Sequence, residues 1–159
     1  MNNKLTRTPF VSAVTSLLML ALVNTANAAN VHFKAEPTFV DQGNTLEACV
    51  SLAGLGNKDV TITVAVTGTA TITYINPGSN QPPGQNKIPI SAIATTTIPS
   101  NQIKNGNVTV CLETADIEPP DAPNPNWTVD VEDVSFSTAT ITVVQKGKVV
   151  LKETFDVSD

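Results

Sequence analysis

From Val60 to Tyr74 the chain alternates without interruption, Val60, Ile62, Val64, Val66, Ala70, Ile72 and Tyr74 falling on one face. Thr61, Thr63, Thr67, Thr69, Thr71 and Thr73 fall on the other. A period of two fits a half-buried β-strand and excludes a helix. Such a run exceeds the usual strand length. Gly68 sits at its centre on the apolar face, where a missing side chain permits a bulge. The run therefore reads as two strands, 59–67 and 69–75, with the chain passing from one sheet to the other at Gly68.

The same period recurs along the chain, and no helix of useful length is visible. Further strands are expected near 31–35, 45–53, 88–97, 107–114, 128–144 with a break, and 148–157. Turns are expected at 41–44, 54–58, 105–106 and 145–147, with one short helical turn in 98–104. The fold expected is all-β, a single antiparallel sandwich of immunoglobulin-like type with about seven to nine strands. Two connections are too rich in proline to continue a ladder, Asn76–Lys87 and Glu118–Asn126. The second runs into Trp127, the only tryptophan, whose ring is expected to anchor it.

The first residues have another character. Lys4 and Arg7 precede an apolar run from Phe10 to Val23, and Ala26-Asn27-Ala28 forms an A-x-A cleavage site. Residues 1–28 read as a secretory signal, with 29–159 as the exported β-domain. The apolar run is shorter than the ~20 residues that span a bilayer. Of the nine basic residues, Lys4 and Arg7 leave with the signal, so seven lysines face fourteen carboxylates, a net charge of −7. That balance argues against nucleic acid and an anionic membrane surface, and no stable membrane insertion of the mature chain is expected. A secreted or periplasmic location is expected.

Cys49 and Cys111 are the only cysteines, and an oxidising compartment predicts a disulfide. Closing that loop contributes roughly 4 kcal/mol in the chain-entropy model. Leu46, Ala48, Val50 and Leu52 make the apolar face of one strand; Val108, Val110 and Leu112 make that of another. Both cysteines thus point away from the core. The bridge is expected between neighbouring antiparallel strands on their outer face, unlike the buried pin of an antibody domain.

Catalytic chemistry is sparse. His32 is the sole imidazole, so no triad can form, and G-x-S-x-G, H-E-x-x-H and EF-hand patterns are absent. No metal site and no cofactor are expected. Carboxylates alone could act as acid and base. If Cys49 faces Cys111, Glu47 faces Glu113; Glu132 and Asp133 are weaker candidates, because adjacent strand residues point oppositely. Threonine rows such as Thr61–Thr73 and Thr138–Thr142 fit a solvated sheet face better than ice binding, for which the repeat is missing.

The runs Gly54-Leu55-Gly56-Asn57, Thr67-Gly68-Thr69-Ala70-Thr71, Asn76-Pro77-Gly78, Pro83-Gly84-Gln85-Asn86, Ile103-Lys104-Asn105-Gly106-Asn107-Val108-Thr109 and Pro123-Asn124-Pro125-Asn126-Trp127-Thr128 resemble a family of small exported bacterial β-domain proteins of uncharacterised role. These motifs are structural punctuation, so the resemblance implies one domain and no activity. Its members place cysteines where this chain has Tyr74 and Ala122, which implies that those backbones lie close and that the disulfide here is a different one. The end of the domain so defined, with Tyr74, Asn76, Asn126 and Trp127, is the candidate ligand surface. The expected role is a non-enzymatic binding or structural module with an extracellular or periplasmic partner. A subunit or adhesin of a self-associating surface fibre is the alternative, and a carboxylate-based glycosidase the second.

Overall fold

The computed structural model describes residues 30–78 and 86–158. The expected signal, 1–28, and residues 79–85 of the expected Asn76–Lys87 loop lie outside the described residues, and Asn86 and Lys87 already belong to a strand. Among the described residues eight strands form: β1 (His32–Phe33), β2 (Thr38–Asp41), β3 (Leu46–Ala53), β4 (Val60–Ile75), β5 (Asn86–Ile98), β6 (Val108–Glu113), β7 (Thr128–Gln145) and β8 (Lys148–Asp156). A single 3-10 turn, Ser100–Gln102, falls where a helical turn was expected. No helix among the described residues is long and apolar enough to cross a membrane.

Two antiparallel sheets of four strands result. In the first, β6 pairs with one edge of β3, while β1 and β2 follow one another along the other edge. The second runs β5-β4-β7-β8. Their inward faces share one core, in which Leu46, Val50 and Leu52 of β3 meet Ile62, Val64 and Ile72 of β4 and Ile141 and Val143 of β7. At one lateral side Phe155 of β8 closes the gap between sheets. Its ring packs edge-on against Phe33 at 5.5 Å and tilted against Phe39 at 5.6 Å.

The long run at Val60 is one strand. β4 keeps β5 and β7 as its neighbours on both sides of Gly68, so the expected passage between sheets does not occur. The irregularity belongs to the partner strand. Register shifts between Thr67 and Gly68 and between Thr71 and Ile72 leave Ser137 and Glu132 of β7 as extra residues. The apolar residues of β7 require this. Val129 and Val131 are odd, Val134 and Phe136 even, Ala139, Ile141 and Val143 odd again. Each bulge returns the apolar set to the core. Gly68 makes room for the first, because a Cβ there would stand 2.2 Å from the Ser135 carbonyl oxygen and 2.9 Å from Phe136 Cα. The bulged backbone is satisfied, since Val157 donates its N–H to the Ser137 carbonyl at 3.1 Å.

The C-terminal hairpin resolves a conflict between turn and pattern. Alternation favours a three-residue loop, Gln145–Gly147, that pairs Val143 with Val149 and Ile141 with Leu151. The structure instead closes a two-residue turn, pairing Gln145 with Lys148 and Val144 with Val149. Lys146 and Gly147 both take positive φ, 56° and 71°, as a type I′ turn demands. The pattern is restored one step later. A shift between Val143 and Val144 leaves Val150 as a bulge, and Val143 then opposes Leu151 while Thr140 opposes Thr154.

Gln145 secures the neighbouring turn. Its buried amide accepts from Gly56 N–H at 2.9 Å and donates to the carbonyls of Gly56 and Lys58 at 3.1 and 2.7 Å. Strand β2 is absent from the sequence expectation, which has one strand near 31–35 and a turn at 41–44, and the chain does leave β3 between Phe33 and Thr38. It then resumes pairing with β3 two residues out of step.

Two stability measurements check this account. Gly68→Ala should destabilise the protein by about 2 kcal/mol in urea unfolding, since neither contacting atom belongs to a movable side chain. A loss under a few tenths would mean that β7 yields freely. In the hairpin, Gly147→Val should cost roughly 1 kcal/mol or more through positive φ alone, because a Cβ there meets nothing within 4 Å. Lys146→Asn should gain a fraction of that, as asparagine tolerates the left-handed region. A stabilising Gly147→Val or a destabilising Lys146→Asn would contradict the turn assignment.

Candidate functional site

At one end of the second sheet the β4–β7 ladder closes with Tyr74 opposite Val129 and Ile75 opposite Thr128. Asn76 leaves the ladder directly after Ile75, and Trp127 enters directly before Thr128. The register thus brings Tyr74, Asn76 and Trp127 to one end. Local turns hold them there. The Asn76 side chain accepts the Gly78 N–H at 3.0 Å. Asn124 accepts the Asn126 N–H on its side chain at 3.1 Å and the Trp127 N–H on its carbonyl at 2.9 Å. Asparagine suits both places, since its side chain caps a tight turn without help from a ladder.

Tyr74, Asn76 and Trp127 are half-buried and Asn126 is exposed. Tyr74 packs against the core, as a residue still inside the ladder must. Trp127 is not among the side chains packed there. The indole lies one residue beyond the last ladder pair. The end therefore presents an aromatic face beside two amides, with no charged side chain among the four residues.

The other candidates separate. Cys49 and Cys111 are directly opposed on β3 and β6, with Cα atoms 4.0 Å apart and an S–S distance of 1.96 Å. Neither belongs to the core, as the alternation required. Glu47 opposes Glu113 in the same ladder. The Glu113 carboxylate accepts the Thr45 hydroxyl at 2.7 Å. The Glu47 carboxylate lies 3.8 Å from Cys49 Sγ, which has no proton to donate once the bridge has formed. Glu47, Cys49 and Cys111 cluster closely enough to suggest a metal site, yet a disulfide sulfur is not the thiolate that binds metal. His32 is exposed on β1 with Nδ1 2.8 Å from the Asn30 carbonyl.

Glu132 and Asp133 correct a sequence argument. Strict alternation would put them on opposite faces, but Glu132 is a bulge residue and both are exposed. Thr73, itself buried, donates its hydroxyl to the Glu132 carboxylate. The two carboxylates flank a shallow groove of about 340 Å³ against the Gly43-Asn44 turn. Neither Glu47 nor Glu113 lines this groove or the two others of comparable size.

The threonine rows pair among themselves across the outer face of the second sheet. Hydroxyls of Thr61 and Thr97 lie 3.0 Å apart, Thr63 and Thr95 3.1 Å, Thr67 and Thr138 2.7 Å, and Thr140 and Thr154 2.8 Å. Cross-strand threonine pairs support a solvated sheet.

No family model matches the chain, and no curated protein matches it. Among solved structures it is similar to the crystal structure of DesR, a beta-glucosidase from Streptomyces venezuelae in complex with D-glucose. The TM-score is 0.32 at 15% identity, over 80% of this chain and 15% of that one. The chain thus spans about a seventh of that protein's length, and a likeness at this level says nothing of fold or activity.

One implication of the sequence resemblance can be tested directly. If relatives bridge the positions of Tyr74 and Ala122, a Tyr74→Cys/Ala122→Cys variant should form a second disulfide, because bonding needs α-carbons within about 7 Å. Mass spectrometry of the unreduced digest would reveal it. Two free thiols at those positions would remove the implied neighbourhood.

Proposed function

We propose that this chain is an exported binding or structural module without catalytic activity, built as an immunoglobulin-like sandwich and working outside the cell or in a periplasm. The Cys49–Cys111 bridge supports the compartment, since disulfides persist where the surroundings are oxidising. Strand order supports the fold type. Taking β1 and β2 together as one edge strand, the sheets contain strands one, two and five against four, three, six and seven. That differs from the antibody constant pattern only in the sheet joined by the fourth strand.

The observation that carries the binding role is the ladder end at Ile75 and Thr128, which gathers Tyr74, Asn76, Asn126 and Trp127. An indole outside the core beside amide groups suits a neutral, hydroxyl-rich ligand, which takes a flat apolar face and hydrogen bonds together. Neutral oligosaccharides are the natural probe. Titrating a panel of neutral hexasaccharides against the protein should change the fluorescence of its single tryptophan. Trp127→Ala should abolish retention on the matching immobilised polysaccharide while leaving the melting temperature within a few degrees. Unaltered retention by that variant would dismiss this end as the site.

A further inference from the structure

We propose that two copies of this chain pair edge to edge along β5, antiparallel about a two-fold axis at Ile93, and so join their second sheets into one. A sheet edge is an unfilled row of backbone donors and acceptors, and soluble β-proteins normally blunt it with charge, proline, bulges or brevity. Three of the four edges here are blunted. β8 carries Lys148, Lys152, Glu153 and Asp156 and the bulge at Val150. The edge of β1 and β2 is interrupted at Pro37 and ends at Asp41. β6 has six residues and ends at Glu113.

β5 is different. Its ladder with β4 runs through thirteen pairs without a register shift; Lys87 and Pro89 blunt only its first residues, and from Ile90 to Ile98 it holds neither a charged residue nor a proline. Among the described residues, its other edge receives no backbone hydrogen bond from any turn or loop. Open grooves of about 420 and 450 Å³ flank its two halves, one beside Ala115–Pro120 and one beside β6. Ile93, 59% exposed, is one of three large exposed apolar side chains among the described residues and stands at the middle of this edge.

The strand also fixes how a partner would pair. Pro89 has no N–H to give β4, so its backbone faces the free edge, and every second residue with it: Ser91, Ile93, Thr95 and Thr97. Hydrogen-bonded antiparallel pairing requires edge-facing residues to oppose one another. Centring on Ile93 sets Ile93 against its own mate and Ser91 against Thr95, and the shared ladder ends where Pro89, which can accept from Thr97 but not donate to it, meets that residue. The arrangement is self-complementary and brings no carboxylates together, which favours a second copy over a foreign strand for so acidic a chain. Because, among the described residues, the stretch from Ile90 to Ile98 is the one long edge without a blunting device, the pair closes at two copies and does not extend into a fibre.

The test is sedimentation equilibrium on the chain expressed with its leader and purified as the exported protein. A reversible dimer is expected. Ile93→Lys should weaken it at least about tenfold by opposing like charges across the axis. The double variant Ser91→Lys/Thr95→Lys, which opposes the new charges on both sides of the axis, should act likewise and serves if the first variant misfolds by circular dichroism. Val149→Lys, on the opposite edge, should leave it intact. Ile93→Cys should give a covalent dimer, since opposed residues lie within bonding distance. A monomer up to millimolar concentration, growing filaments, a dimer broken by Val149→Lys but not by the β5 variants, or a stoichiometric foreign strand on a monomer would each overturn the proposal.

Discussion

Everything in this domain answers to one requirement, that alternate side chains of the two central strands, β4 and β7, keep facing the other sheet along their whole length. β4 meets it with an unbroken apolar row from Val60 to Ile72. β7 does not, since its apolar residues change phase twice. A one-residue slip would turn half the strand outward, so an extra residue must be absorbed at each change of phase. Glu132 and Ser137 are those residues. The remaining features accommodate them: a glycine where the neighbouring backbone crowds in, a Thr73 hydroxyl on one bulge and the Val157 N–H on the other.

The hairpin shows the same rule acting against local chemistry. A two-residue turn with both central residues at positive φ matches the twist of its strands, and Gly147 makes half of it strain-free. That turn gives the wrong parity. The chain keeps the turn and corrects the phase at Val150, so the preference of the loop and the demand of the core are both met within a few residues.

Much of this can be read from residues alone, and the boundary is physical. The cross-strand disulfide follows from alternation, because both cysteines fall on the polar side of otherwise apolar strands, and the opposition of Glu47 to Glu113 follows from it. Bulges are harder. A phase change in β7 is visible in the sequence, but it does not say which neighbour bends, and Gly68 in β4 drew the irregularity to the wrong strand. The Phe33, Phe39 and Phe155 cluster joins residues far apart in sequence, so no local period announces it. The gathering of Tyr74, Asn76, Asn126 and Trp127 is expected only through the resemblance that sets Tyr74 near Ala122, because no local period tells which loops share an end, and the exposure of the β5 edge depends on which strands end a sheet.

The position of the disulfide has a mechanical consequence. Cys49 and Cys111 are 62 residues apart in sequence, and the loop they close holds β4 and β5 entire. A pull on the two ends of the chain passes across the bridge and never enters that loop. At about 3.4 Å per extended residue, some 210 Å of chain is withheld from stretching. Under tension the domain can lengthen only by peeling β1 and β2 from one side and β7 and β8 from the other, while the central hairpin stays tethered to β3 and β6 as a short, inextensible link.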